Sequence, residues 1–276
     1  MRKAKDKTLK FLMSLCAAVT CLLLIGLIGY LLYRGIPGIN AKFLTTQTSY
    51  ISDSIGILPN ILNTLYLIVL VMIIVVPLGV GAAVYLTEYA SNKRISNAIG
   101  FAVETLTGIP SIIFGLVGML FFTQILGLRQ GILAGALTLI IMVLPTVISN
   151  TKESLLAVPQ SYREGALALG SGKWHMVRTV VLPNAVDGIV TGCILAVGRV
   201  VGESAALLFT AGFGLRLLGF AEALQSSAAS LTVALYIYAS EEGKFDVAFS
   251  IAVILICITL IINLAASLVG KKVRKS

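Results

Sequence analysis

The sequence predicts an all-α protein: a polytopic transmembrane helical bundle of six spans with both termini cytoplasmic. Three observations predict it. The 276-residue chain is 58% hydrophobic and only 12% charged, whereas a soluble domain carries roughly 25% charge. Several of its apolar runs exceed the roughly 18 residues needed to cross a hydrocarbon core. Its basic residues fall unevenly on alternate loops, which is the pattern that orients a helical membrane protein. A membrane β-barrel would show alternation in roughly ten-residue segments, and none is visible.

The first span covers about 11–33 and follows the basic start MRKAKDKTLK. Its apolar run is too long for a signal-peptide core and no small-x-small cleavage site follows, so it reads as a retained helix. The other spans fall at about 61–86, 98–126, 131–150, 187–211 and 247–269. Six spans put both termini on one side. With the termini inside, fifteen of the 21 basic residues are cytoplasmic, among them Arg2, Lys3, Lys5, Lys93, Lys152, Lys173, Lys271, Lys272, Arg274 and Lys275. Five lie outside and Arg199 sits within a span. The net charge of +9 is therefore topological and requires no nucleic acid. The expected partner of the whole surface is the lipid bilayer of a plasma membrane. The chain divides into a cytoplasmic start (1–10), a first helix with its outer loop (11–60), a transmembrane domain (61–269) and a cytoplasmic tail (270–276).

The cysteines Cys16, Cys21, Cys193 and Cys257 all lie in apolar runs without C-x-x-C spacing. They read as small packing residues, with no metal site and no cofactor. The extramembrane segments are too small to house a catalytic domain. An intramembrane enzyme built on Glu104, Glu203 and His175 is disfavoured, because His175 lies in a cytoplasmic loop and Glu203 within a span, and neither H-E-x-x-H nor G-x-S-x-G is present.

The cytoplasmic segment 151–186 is longer than a connector needs. Ser161-x-x-Glu164 fits a capping box, so a short helix over 161–169 is expected. Gly170 and Gly172 suit its end, and a second helical stretch runs to Leu182-Pro183. The tetrapeptide GSGK is not a Walker loop: Trp174 stands where a hydroxyl would hold Mg²⁺ and Leu167 where the first glycine belongs. Small residues on the first helix (Gly165, Ala166, Ala168) allow close approach. Leu167, Leu169, Trp174, Met176 and Val177 among basic residues form an expected apolar patch with a charged rim. Two readings stand: a docking surface for a cytoplasmic partner, or apolar residues resting on the protein's own helices.

The fifth span holds Gly198, Arg199, Gly202, Glu203 and Ser204. A central Arg costs about 2.5–3.5 kcal/mol on insertion scales and an acid about as much, which roughly cancels the gain from its apolar residues. This helix is expected inside a bundle. Gly192, Ala196, Arg199, Gly202, Glu203 and Ala206 fall on one face, and Val190, Ile194, Val197, Val201 and Leu208 on a lipid-like one. Arg199 and Glu203 are four apart, so they either neutralise each other or mark a pathway in which the Arg fork meets an anion. In the third span Pro110 frees a backbone carbonyl beside Ser111, as happens where helices line a cavity. Glu104 lies early in that span, with a weaker claim to the same pathway.

Glu164, Ala166, Gly170, Val180, Leu182 and Pro183 match the pattern E-x-A-x3-G-x9-[IV]-x-L-P, which resembles the EAA loop of ABC importer permeases, with Gly165 where alanine is usual. GIPSIIFGL (108–116), GRVVGESAALL (198–208) and ALYIYASEEGKFDVAFSIAVILI (234–256) resemble the phosphate-specific permeases of the PstA family over most of the chain. The resemblance implies a type I ABC importer permease fold, with the loop inserting into a cleft on an ATPase. It implies inorganic phosphate as cargo, moved by alternating access. It implies a second permease subunit (PstC-like), a dimer of ATP-binding subunits (PstB-like) that carries the hydrolysis, and a phosphate-binding protein (PstS-like) outside. The family's Arg-Glu motif falls on Arg199 and Glu203. Another oxyanion, such as sulfate or molybdate, is the alternative cargo, since Arg by itself does not distinguish tetrahedral anions.

Overall fold

A computed structural model describes residues 2–49, 54–90 and 92–275. Side chains at 2–5, 93, 269 and 271–275 are outside that description, so the basic residues counted there are not placed.

Helix α1 (Arg2–Gly35) leads through a 3₁₀ turn (Ile36–Gly38) to α2 (Ala41–Thr45), whose cap is Asn40 accepting from the Phe43 N–H. A small antiparallel ladder follows, β1 (Gln47–Ser49) on β2 (Ser54–Ile57), pairing Gln47 with Ile57 and Ser49 with Ser54. This hairpin is the one addition to an otherwise helical expectation among the described residues. Helix α3 (Leu58–Val84) carries Pro77 inside it and ends in a π-helical turn, Tyr85–Tyr89. Then come α4 (Lys93–Thr107), α5 (Ser111–Gly118) with a π-helical continuation (Met119–Ile125), and α6 (Ile132–Ala157). The loop region holds α7 (Gln160–Ala168) and α8 (Lys173–Met176). A π-helical stretch (Val177–Val181) joins α8 to α9 (Leu182–Gly202). The chain closes with α10 (Ala205–Thr210), α11 (Phe220–Ala223), α12 (Leu231–Tyr236) with a π-helical end (Ile237–Glu241), and α13 (Phe245–Lys275).

Among the described residues, five helical segments are long and apolar enough to cross a membrane, and a sixth if one bent pair counts as a single span. That pair replaces the expected continuous span 98–126. Arg94–Thr107 and Ser111–Ile125 meet at 100° across Gly108–Pro110. The cause is local: Pro110 has φ −57° and ψ 138°, its ring cannot continue a helix, and it starts α5 instead. The expected spans at 131–150 and 247–269 extend further, to Ala157 and Lys275.

The core lies where α3, α6 and α9 meet, with Leu67, Val71, Val75, Leu139, Val143, Ala196 and Val200 buried together. The helix α6 is the central post, which is why its apolar residues are buried nearly all round. Helix α1 is the opposite case. Leu22, Leu23 and Ile25 are exposed, and it touches the rest mainly through α13, where Tyr30 packs edge-on against Phe249 and the Ser250 hydroxyl donates to the Gly35 carbonyl at 2.9 Å. An apolar helix exposed all round is stable only if lipid replaces water.

Gly35 sits against the start of α13, so the far end of α13, around Gly270, lies away from Gly35 at the opposite end of the bundle. Gly270 packs on Val190, near the start of α9, which puts the α7–α8 loop at that same end. At the other end, the segment after α10 turns back into the protein. The Asn60 and Asn63 side chains donate to the Ala229 carbonyl at 3.0 and 3.1 Å, and the Leu231 N–H donates to Thr64 at 2.9 Å. The stretch 212–246 is thus a set of short helices docked on the core, and Leu231, Ala234 and Tyr238 are buried there.

Candidate functional site

The fifth span is broken where its charges lie. Helix α9 stops at Gly202 because Glu203 is extended (φ −81°, ψ 122°), and α10 restarts at Ala205. Of the two readings of Arg199 and Glu203, mutual neutralisation is not formed: no ion pair joins them. Glu203 is buried at 8% exposure, and its Oε1 accepts from the Ala206 N–H at 2.9 Å. It therefore satisfies one of the free N–H groups at the start of α10 and places its negative charge at the positive end of that helix. Its backbone carbonyl accepts from the Thr232 hydroxyl at 2.8 Å. Ser204 beside it is half-buried and its side chain makes no cap bond.

Arg199, one turn earlier, forms no ion pair or hydrogen bond among the described residues. It is half-buried on a face with Leu195, Gly198 and Gly202. Leu195 is exposed, and a Cβ added at Gly198 or Gly202 would meet nothing within 4 Å. The opposite face also differs from expectation: Val197 and Val201 are buried in the core rather than turned to lipid. The bundle chose the valines for its core, and the glycine–arginine face looks outward.

A second break lies alongside. Gly115 of α5 abuts Ala206 of α10 so closely that a Cβ there would stand 2.7 Å from the Ala206 Cα. Further on, the Gln130 amide donates to the Phe209 carbonyl at 3.2 Å and the Gly131 N–H to the Thr210 carbonyl at 3.1 Å. The two short helices therefore pack directly on each other. Discontinuous helices of this kind recur where membrane proteins hold ions or substrates, because their free backbone groups are tolerated beside a cavity. Glu104 is not brought here. It lines a separate cavity of about 170 Å³ with Lys152 and Glu153 at the far end of α6.

The loop at the Gly270 end of the bundle is a helix, a glycine turn and a second helix. Gly170 has φ +83°, a conformation that glycine takes at little cost, and the Ser171 N–H donates back to the Ala166 carbonyl at 3.1 Å. Gly172 instead caps the start of α8. The expected capping box is absent: Pro159 stands at the N-cap with no side-chain bond, and Ser161 and Glu164 are exposed. Nor does the second helix end at Leu182-Pro183. The helix runs from Lys173 to Gly202, with the π-helical stretch just ahead of Pro183 accommodating its missing N–H. Glu164, Gly165, Gly170 and Pro183 are exposed, and Ala166 and Leu182 half-buried. Leu169 is 91% exposed and Trp174 60%. Met176 and Val177, expected in the exposed patch, are buried in a cluster with Val84, Leu155, Val158 and Val181.

Sequence reasoning missed the residues that anchor this loop. Arg163 is 9% exposed. Its Nε and Nη2 donate to the Glu88 Oε1 at 3.0 and 2.8 Å, its Nη1 to the Val158 carbonyl at 2.7 Å and its Nη2 to the Leu155 carbonyl at 2.7 Å. The signal was a lone acid, Glu88, closing the apolar run of α3. An acid at a span end is ordinarily solvated, so its position in the sequence does not mark it as buried.

Residues 75–275 match the family described as binding-protein-dependent transport system inner membrane component. The chain belongs to this family. It is 37% identical to the probable ABC transporter permease protein YqgI of Bacillus subtilis (strain 168), over 99% of this chain and 98% of that one. It is 32% identical to the phosphate transport system permease protein PstA of Haemophilus influenzae, over 76% of this chain and 74% of that one. Its fold is that of a chain in the crystal structure of a bacterial alginate ABC transporter in complex with an alginate pentasaccharide-bound periplasmic protein. That match has a TM-score of 0.69 at 17% identity and covers 100% of this chain and 98% of the other. The family member is thus a multi-pass membrane permease subunit of an ABC importer, with the type I permease fold.

Proposed function

We propose that this permease subunit carries inorganic phosphate across the plasma membrane. The observation that carries the reading is Arg199: a guanidinium in a span, on an open glycine-flanked face, one turn before the break in its own helix. A planar fork of donors matches phosphate oxygens. Its freedom from a protein partner leaves it available to an anion, and a single such group holds its cargo weakly enough to release it. The PstA relative adds support for phosphate over other oxyanions. In this reading Gly202, Glu203, Ser204, Pro110 and Ser111 form the rest of the pathway, with Glu203 keeping the start of α10 in place rather than contacting cargo. Glu104 drops out of it.

The open face of α9 is completed by a second permease subunit, so the anion passes between the two chains. The loop Glu164–Gly165–Ala166–Gly170, with the exposed Leu169 and Trp174, docks on a separate ATP-binding dimer that performs the hydrolysis. A phosphate-loaded binding protein docks at the opposite end. The α7–α8 loop and both termini then face the cytoplasm, with 61–269 as the transporting domain. The test is uptake of radiolabelled phosphate by vesicles containing the assembled transporter, with excess sulfate or molybdate as competitor. Phosphate uptake insensitive to both is expected. Uptake of sulfate alone would sink the phosphate reading and leave the permease.

A further inference from the structure

We infer that the Glu88–Arg163 pair is a positioning clamp: it makes the coupling loop and α3 move as one body and so passes displacement of the loop to the helix break at Glu203. This deepens the proposed function and rests on it.

One turn grips both halves of the loop. Glu88 holds Arg163 of α7, and its neighbour Tyr89 lies under the Lys173 ammonium of α8, 5.0 Å from the ring centre. Arg163 also holds the Leu155 and Val158 carbonyls at the end of α6, the first of them shared with the Val158 N–H at 3.3 Å. Three elements therefore converge on a single guanidinium. Its planar, fixed set of donors defines their mutual orientation, which the flexible ammonium of a lysine would not. The apolar cluster of Val84, Leu155, Val158, Met176 and Val177 excludes water around it. A purely apolar corner would hold these helices together as well, but without fixing their angle.

From this corner α3 runs 27 residues, about 40 Å at 1.5 Å per residue. Its far end donates from Asn60 and Asn63 to the Ala229 carbonyl, and Thr64 accepts from the Leu231 N–H. The next residue, Thr232, donates to the Glu203 carbonyl at 2.8 Å. The coupling corner and the broken fifth span are thus the two ends of one rod. Contiguity of this kind is the route, and movement in common is the property to be tested.

The experiment uses the full chain assembled with its ATPase partner and second permease subunit, with the four native cysteines replaced. Spin labels at Leu169 and Leu78, both exposed, report the distance from the loop to α3 in nucleotide-free and ATP-trapped states. A change of no more than about 2 Å is expected, whereas sliding by one helical turn, about 5 Å, overturns the clamp. In parallel, Arg163→Lys and Glu88→Gln are expected to keep ATP hydrolysis while phosphate moved per ATP falls about tenfold. An unchanged ratio in either assembled variant overturns the clamp and leaves the permease reading intact. Where a variant does not assemble, the distance in the unaltered clamp decides. Failure of the unaltered chain to assemble with any ATPase overturns the clamp together with the reading it rests on.

Discussion

Two arginines in this chain live under opposite rules. Arg163 is buried, spends its donors on Glu88 and two carbonyls, and belongs to a corner sealed by apolar side chains. Arg199 stands on a face flanked by glycines and forms no ion pair or hydrogen bond among the described residues. A saturated cation is structural, because its energy is already committed to one geometry. An unsaturated one in a membrane span is costly, and such a cost is tolerated where a mobile anion or a partner chain completes the site. The same side chain therefore marks the rigid part of the molecule in one place and the responsive part in the other.

The comparison is broken most forcefully at the saturated end. Arg163→Met leaves the Glu88 carboxylate buried without its partner, a loss of about 3–5 kcal/mol for breaking one side of a buried pair. The expected result is a sharp fall in thermal stability in detergent, and an unchanged melting temperature would show that the pair is idle. Arg199→Ala sharpens the contrast from the other side. It removes no ion pair or hydrogen bond among the described residues, so stability should hold within about 0.5 kcal/mol. Phosphate uptake should fall about tenfold or more, since one charge-assisted contact is worth about 1.5–3 kcal/mol. Normal uptake would remove Arg199 from the pathway. The smallest effect is expected at Gly170→Ala, where a side chain at φ +83° costs about 1–2 kcal/mol. It should lower co-purification of the ATPase subunit without altering insertion, and equal recovery of the complex would mean that the turn tolerates the change.

Much of the architecture was legible. Length and continuity of apolar runs located four of the six spans, because lipid requires long helices whatever they pack against; the fifth was found only in part, since its helix covers Lys173–Gly202 rather than 187–211. The glycine turn at Gly170 was legible for a similar reason: few residues adopt that backbone easily. The third span was misjudged since hydropathy measures composition along 98–126 and is blind to the 100° turn that Pro110 introduces within it. The capping box failed because Ser161-x-x-Glu164 is a local pattern, and the start of α7 is fixed instead from a distance, by Arg163 reaching α6 and α3.

Sequence by itself determined the solvent of this protein, the rough place of most of its spans, and the residue types too costly to bury without a reason. Those follow from transfer free energies and backbone sterics, which act residue by residue. Only the tertiary structure decided that Glu203 caps a helix, that Val197 and Val201 face the core, and that of two arginines one is satisfied and one is not. Those depend on which groups meet across 75 residues of chain, as Glu88 and Arg163 do, and that is settled by how the helices pack.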